Sequence, residues 1–226
     1  MLSLNQYKTV FFDCDGVILQ SNHIKTKVFR EVLESEDKNI VDKFISYHKK
    51  NGGISRYKKF DHFYKFIKKD RDFKKKSMVA VEKYTSLVYS YLLSIDYVPG
   101  FTNLLNFLHE EKIDCYVISG GDQQELHKVF QIRGIYTKFV QILGSPISKF
   151  KNAEFLSKAM LIKKPSILFG DSFVDMKIAY KYGIDFCFIN QFSEWKLGKL
   201  MVRKLNYQSI DNFNDPLLSL NNLNYI

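Results

Sequence analysis

The chain has 226 residues, 34 Lys+Arg against 24 Asp+Glu for a formal net charge of +10, and 46% apolar residues, which excludes a disordered chain. No apolar run reaches the roughly 20 residues that span a bilayer, and Met1 to Val10 lacks the pattern of a secretory signal. Three scattered cysteines, Cys14, Cys115 and Cys187, form neither a disulfide framework nor a zinc site, so a soluble cytoplasmic protein is expected.

The first predicted element is a buried strand over Tyr7 to Phe12, ending at the acidic turn Asp13-Cys14-Asp15-Gly16. Helices alone are predicted from about residue 18 to 95: His23–Ser35, Lys38–Lys50, Ser55–Lys68 and Lys74–Leu93. Asn51-Gly52-Gly53 breaks this stretch, and Ser55 reads as an N-cap. A strand–helix alternation follows. Its strands are Cys115–Ile118, the weaker Gln141–Leu143, Ser166–Phe169 and Asp185–Ile189. Its helices are Thr102–Glu111, Gln123–Arg133, Asn152–Leu161 and Phe173–Tyr182. This rhythm predicts an α/β fold, a Rossmann-like parallel sheet covered on both faces. Residues 1–17 and 96–226 would form that core, and residues 18–95 an inserted all-helical cap. The Asn-rich tail from Gln208 carries no clear pattern.

Ligands of an open parallel sheet bind beyond the carboxyl ends of its strands. The residues there are Asp13 and Asp15, then Ser119 with Gly120 and Gly121, then Asp171 and Asp175. Four converging carboxylates repel one another unless a cation joins them. An all-oxygen set of this kind suits Mg²⁺, above all where phosphate supplies a further oxygen. Asp175 also fits as a helix cap, and Ser119 as a turn residue.

These motifs, in this order, resemble the haloacid dehalogenase superfamily of phosphohydrolases over nearly the whole chain. The matching segments are Asp13-Cys14-Asp15-Gly16-Val17, Val117-Ile118-Ser119-Gly120-Gly121, Gly144-Ser145-Pro146-Ile147-Ser148-Lys149 and Gly170-Asp171-Ser172-Phe173-Val174-Asp175. The helical insertion looks like the type 1 cap of that superfamily, in its phosphoglycolate phosphatase and β-phosphoglucomutase-like branch. The resemblance implies Asp13 as nucleophile and Asp15 as acid and base. It implies Mg²⁺ on Asp13, the backbone carbonyl of Asp15, Asp171 and Asp175. Ser119, Gly120 and Gly121 would bind the phosphoryl oxygens, Gly16 would allow the sharp turn beside them, and Lys149 would offset charge. Lys151, two residues on, is the rival to Lys149.

Within the cap, Asn51-Gly52-Gly53-Ile54-Ser55-Arg56 looks like the cap loop of β-phosphoglucomutases, which makes Arg56 the expected contact for a substrate anion; a surface Arg at a helix start is the alternative. Lys25 and Asn22 fall on the first cap helix. Lys25 stands where the mutases carry a His, which favours hydrolysis over mutase chemistry. Cys14 alternates away from the two aspartates and reads as a small core residue. His48, before the Gly-Gly breaker, reads as facing the cap mouth.

The expected function is Mg²⁺-dependent hydrolysis of a small phosphorylated metabolite, a sugar phosphate or phosphoglycolate-like acid, through an aspartyl-phosphate. The alternatives are a β-phosphoglucomutase-like mutase and, more remotely, a basic nucleic-acid binder. The expected partner is a small anionic phosphorylated substrate, with neither nucleic acid nor membrane, and the expected state is a monomer. Residues 18–95 hold 18 Lys+Arg against nine Asp+Glu, so nearly all the positive excess lies on the predicted cap.

Overall fold

The computed structural model describes residues 2–219. The chain begins with β1 (Leu2–Ser3) and β2 (Thr9–Phe12). Four helices follow: α1 (Asn22–Val32), α2 (Lys38–Lys50), α3 (Arg56–His62), which widens into a π turn over Phe63–Ile67, and α4 (Phe73–Ser94). Then come α5 (Phe101–Glu110), β3 (Asp114–Asp122), α6 (Gln123–Ile132), β4 (Gln141–Ser145), α7 (Lys149–Lys158) and β5 (Ser166–Gly170). The last are α8 (Phe173–Tyr182), β6 (Asp185–Ile189), α9 (Gly198–Lys204), β7 (Gln208–Ile210) and β8 (Leu218–Ser219).

Six strands form one parallel sheet in the order β4-β3-β2-β5-β6-β7, the α/β architecture that the alternation predicts. All four residues of β2 are buried because both faces of the sheet are covered. Phe11 stacks on Tyr116 on one face; Phe12 stacks on Phe169 on the other and meets Phe101 and Phe213 edge-on. The chain winds from β2 out to β4, then returns to the other side of β2 with β5. That reversal opens the crevice between the ends of β2 and β5, where Asp13 and Asp171 lie.

Several elements depart from the sequence expectation. β3 does not stop at Ile118; it runs on through Ser119-Gly120-Gly121, with a register shift before Asp122 pairs with Ser145. α7 starts at Lys149, three residues early, because the Ser148 hydroxyl caps it by accepting the Lys151 N–H. The Asn-rich tail supplies β7 and β8; its last residues, 220–226, lie outside the described chain.

The helices between β2 and β3 bury a group of aromatics, Phe29, Phe44, Phe60, Phe63 and Tyr84, continuous with the core on one face of the sheet. The two chain crossings that join this insert to the sheet are tied together. The Gln20 N–H donates to Asp96 O at 3.1 Å and the Val98 N–H to Ile18 O at 2.9 Å. Among the described residues, no helix is long and apolar enough to cross a membrane.

Candidate active site

Asp13 follows β2 directly and is 2% exposed. One carboxylate oxygen accepts the Cys14 N–H at 2.6 Å, and the other lies 2.6 Å from Lys149 Nζ. Lys149 is the first residue of α7, and its ammonium also reaches Asp175 at 2.7 Å. Lys151 points to solvent. Asp171 follows β5 and accepts a hydrogen bond from Asn22 Nδ2 at 2.6 Å. Asp175 lies in the first turn of α8, where it closes a capping box with Ser172: the Ser172 N–H donates to it at 3.2 Å and the hydroxyl at 2.5 Å. Asp175 therefore caps the helix through one oxygen while the other meets Lys149.

Oxygens of Asp13, Asp171 and Asp175 lie within 4.8 Å of one another, all buried. Burial pushes the Asp13 carboxyl up to about 7; the Lys149 charge opposes this, and Asp175 and Asp15 add to it. Burial, then Asp13 and Asp175, push Asp171 well above the ordinary range. One ammonium thus pairs with two of the three carboxylates, and a divalent cation would relieve the remaining charge. All-oxygen, buried and under-compensated, the set fits Mg²⁺. Gly16 makes room for it. Its φ is +75°, and a Cβ there would stand 2.6 Å from an Asp171 oxygen and 2.4 Å from Asn22 Nδ2.

The Asp15 side chain turns away from this cluster. Its two oxygens lie 2.6 and 2.7 Å from Lys25 Nζ, and one accepts the Ser21 hydroxyl at 2.5 Å. Burial pushes its carboxyl up, but Lys25 and Ser21 together bring it below its ordinary value. In turn, Asp15 holds the Lys25 ammonium above its ordinary value against burial. Ser119 is fully buried and its hydroxyl accepts the Gly121 N–H at 3.0 Å. Gly120 and Gly121 line a narrow cavity of about 60 Å³, together with Asp13, Asp15 and Asp171.

The insert forms the other wall of that cavity. A Cβ on Gly120 would stand 2.5 Å from Gly53 O, so the Gly52-Gly53 loop sits directly on β3. Arg56 lines the cavity, but Glu125 of α6 grips its guanidinium with contacts of 2.5 and 2.8 Å. Thr85 accepts a third hydrogen bond from it at 3.0 Å. The expected anion contact is thus engaged by a carboxylate of the protein itself. Tyr57 donates to Asp122 at 2.6 Å beside this pair. His48 lines the cavity, as its position before the glycines suggests, and is buried rather than open to solvent. Cys14 is buried and free, in the apolar core.

Sequence reasoning missed Ser21, Lys59, Glu125 and Glu194. Glu194, after β6, accepts from Thr26 at 3.0 Å and pairs with Lys49 at 3.1 Å. No local pattern marks the two glutamates. Lys59 has one legible signal: it lies three residues after Arg56 and so shares its helix face.

A parallel sheet with paired aspartates at its central strand end and a helical insert over the crevice is the build of an aspartate-based hydrolase. The chain belongs to the haloacid dehalogenase-like hydrolase family, whose family model matches residues 7–182. A curated relative, the 2-hydroxy-3-keto-5-methylthiopentenyl-1-phosphate phosphatase of Microcystis aeruginosa, is 29% identical over 120 residues. That match covers 46% of this chain and 57% of the relative, little more than half its length. Among solved structures, β-phosphoglucomutase from Clostridium difficile aligns with a TM-score of 0.70 at 20% identity, covering 92% of each chain. CbbY from Rhodobacter sphaeroides, solved in complex with xylulose-1,5-bisphosphate, aligns at 0.68 and 12% identity over 92% of this chain and 95% of its own. At these identities the likeness is one of fold.

Proposed function

We propose that the protein is a Mg²⁺-dependent phosphomonoesterase acting on a small phosphorylated metabolite through an aspartyl-phosphate on Asp13. The observation that carries this reading is the buried cluster of Asp13, Asp171 and Asp175 around one ammonium, at the switch point of the sheet. Asp13, Asp171, Asp175 and the backbone carbonyl of Asp15 would hold the metal, which when bound supplies charge neutralisation for nucleophile and phosphate.

An Asp13 carboxylate oxygen attacks phosphorus, the ester P–O bond breaks, and the Asp15 carboxyl gives its proton to the departing oxygen. Water then attacks phosphorus, Asp15 takes a proton from it, and the bond to Asp13 breaks to release phosphate. Lys25 and Ser21 keep Asp15 ionised at rest, as the second step requires, and the incoming phosphate dianion favours the protonated form for the first. Ser119, the glycines at the end of β3 and Lys149 bind and balance the phosphoryl oxygens. The helical insert of residues 18–95 acts as a cap that closes over the substrate and excludes water. A cavity of about 60 Å³ supports a small substrate over a macromolecular one. Lys25 in direct contact with Asp15 favours transfer to water over mutase chemistry.

The test is phosphate release from a panel of small phosphomonoesters with Mg²⁺ and with chelator. Release that needs Mg²⁺ and falls at least about 10³-fold in Asp13→Asn is expected. Undiminished release by Asp13→Asn would overturn the reading.

A further inference from the structure

Four cationic side chains are buried among the described residues: Lys25, Arg56, Lys59 and Lys149. Lys25 pairs with Asp15, Arg56 with Glu125, and Lys149 with Asp13 and Asp175. Lys59 has no carboxylate at ion-pair distance among them. Its ammonium donates to His48 Nδ1 at 2.7 Å and stands 5.7 Å from the centre of the Phe29 ring. Lys59 and His48 both line the cavity that holds Asp13 and Asp15.

The neighbouring carboxylate is spent elsewhere. With Nδ1 accepting from Lys59, His48 Nε2 carries the proton and faces the Thr26 hydroxyl at 2.9 Å, and that hydroxyl donates to Glu194 at 3.0 Å. Glu194 also takes Lys49. His48 is buried and held well below its ordinary value, first by burial and then by Lys59, so it orients the ammonium without neutralising it. A buried ammonium lacking a counter-charge is costly to the fold. Burial pushes Lys59 down to about 7, against the pull of Asp15 and other carboxylates farther off. An apolar side chain would fill the same space without that cost, so the position is built to receive an anion that the chain does not supply.

We propose that Lys59, oriented by His48, receives a second acid group of the substrate, a carboxylate or a second phosphate, while the scissile phosphate sits at Asp13. The substrate is then a small phosphomonoester with a further acid group a few bonds away. Arg56, locked by Glu125, holds α3 against α6 instead of binding that group. The assignment rests on the phosphomonoesterase reading for its chemistry, but its recognition step is separable from turnover.

Three two-carbon probes make the test: 2-phosphoglycolate, ethylene glycol bisphosphate and ethyl phosphate. Binding is measured by calorimetry with Mg²⁺ in the Asp13→Asn protein, and kcat/KM in the unaltered one, each with and without Lys59→Met. Met matches the length and volume of the apolar stem, so folding is retained, and Lys59→Arg serves as the charge-keeping variant. At least one diacid is expected to bind tenfold or more better than ethyl phosphate. Lys59→Met is expected to cut that preference at least tenfold, and Lys59→Arg to restore part of it. The better of the two diacids identifies the second group. No preference for either diacid, or a preference that survives Lys59→Met, overturns the proposal. Preferential binding without phosphate release from any probe would sustain it and count against the phosphatase reading instead.

Discussion

Asp15 is a buried carboxyl whose surroundings alone would keep it protonated, and Lys25 with Ser21 reverses that. Lys25→Met removes the cation and leaves burial dominant, so the Asp15 carboxyl rises. The Asp15-dependent limb of the pH–kcat profile is therefore expected to move to higher pH, with kcat down about 10–100-fold. An unchanged profile would separate Asp15 from the proton transfers. At this scale the sequence is legible where residue type and strand end coincide, as for Asp13 after β2 and Asp171 after β5, whereas Ser119 lies inside β3. It left Lys149 and Lys151 as rivals two positions apart. What separates them is the start of α7, which turns the first toward Asp13 and leaves the second exposed. Arg56 and Lys59 invert the expectation for the insert. The arginine is paired by a glutamate from a distant segment, and a lysine among many carries the unbalanced charge. Pairing across 69 positions leaves no local trace in composition or period.

The glycine pair in β3 shows how an element sets the site's shape. Extending the strand through Ser119-Gly120-Gly121 carries the backbone along the cavity wall, and the missing side chain at Gly120 lets the insert loop rest against it. Gly120→Ala would put a Cβ 2.5 Å from a backbone oxygen of Gly53, and the loop must move. A loss of about 10–100-fold in kcat/KM is expected from that displacement, together with a lower melting temperature because the clash is with backbone atoms. Kinetics matching the unaltered protein would mean that the loop's seat on β3 does not matter to turnover. The alternation of strands and helices was readable because β2, β3, β5 and β6 are short apolar runs bounded by turn residues. β7 was not, since Gln208, Ser209 and Ile210 carry no such pattern and gain their strand from pairing with β6.

Across the whole molecule the charge is lopsided: residues 18–95 hold 18 Lys+Arg against nine Asp+Glu, and the remainder is nearly balanced. Several of these lysines are tied to carboxylates, such as Lys74 to Asp61, Lys76 to Asp70 and Lys49 to Glu194, and Lys49 and Lys50 both stand at the cavity mouth. A positive mouth draws anionic substrates by a long-range field that salt screens within about 10 Å at 0.1 M. The double variant Lys49→Gln, Lys50→Gln is expected to lower kcat/KM about threefold to tenfold at low salt. It should converge on the unaltered protein at high salt; an equal loss at every salt concentration would mean contact rather than steering. That the excess lies within residues 18–95 was readable from sequence; the contacts Arg56–Glu125, Tyr57–Asp122 and Thr26–Glu194, which tie this stretch to α6, the end of β3 and the segment after β6, were not. The proposed mechanism requires Asp13 to be phosphorylated during turnover. Protein quenched in acid while turning over a phosphomonoester with Mg²⁺, reduced with borohydride and read by peptide mass spectrometry, tests it directly. The expected result is homoserine at position 13, formed only when substrate is present. Steady phosphate release with position 13 unmodified would contradict the account.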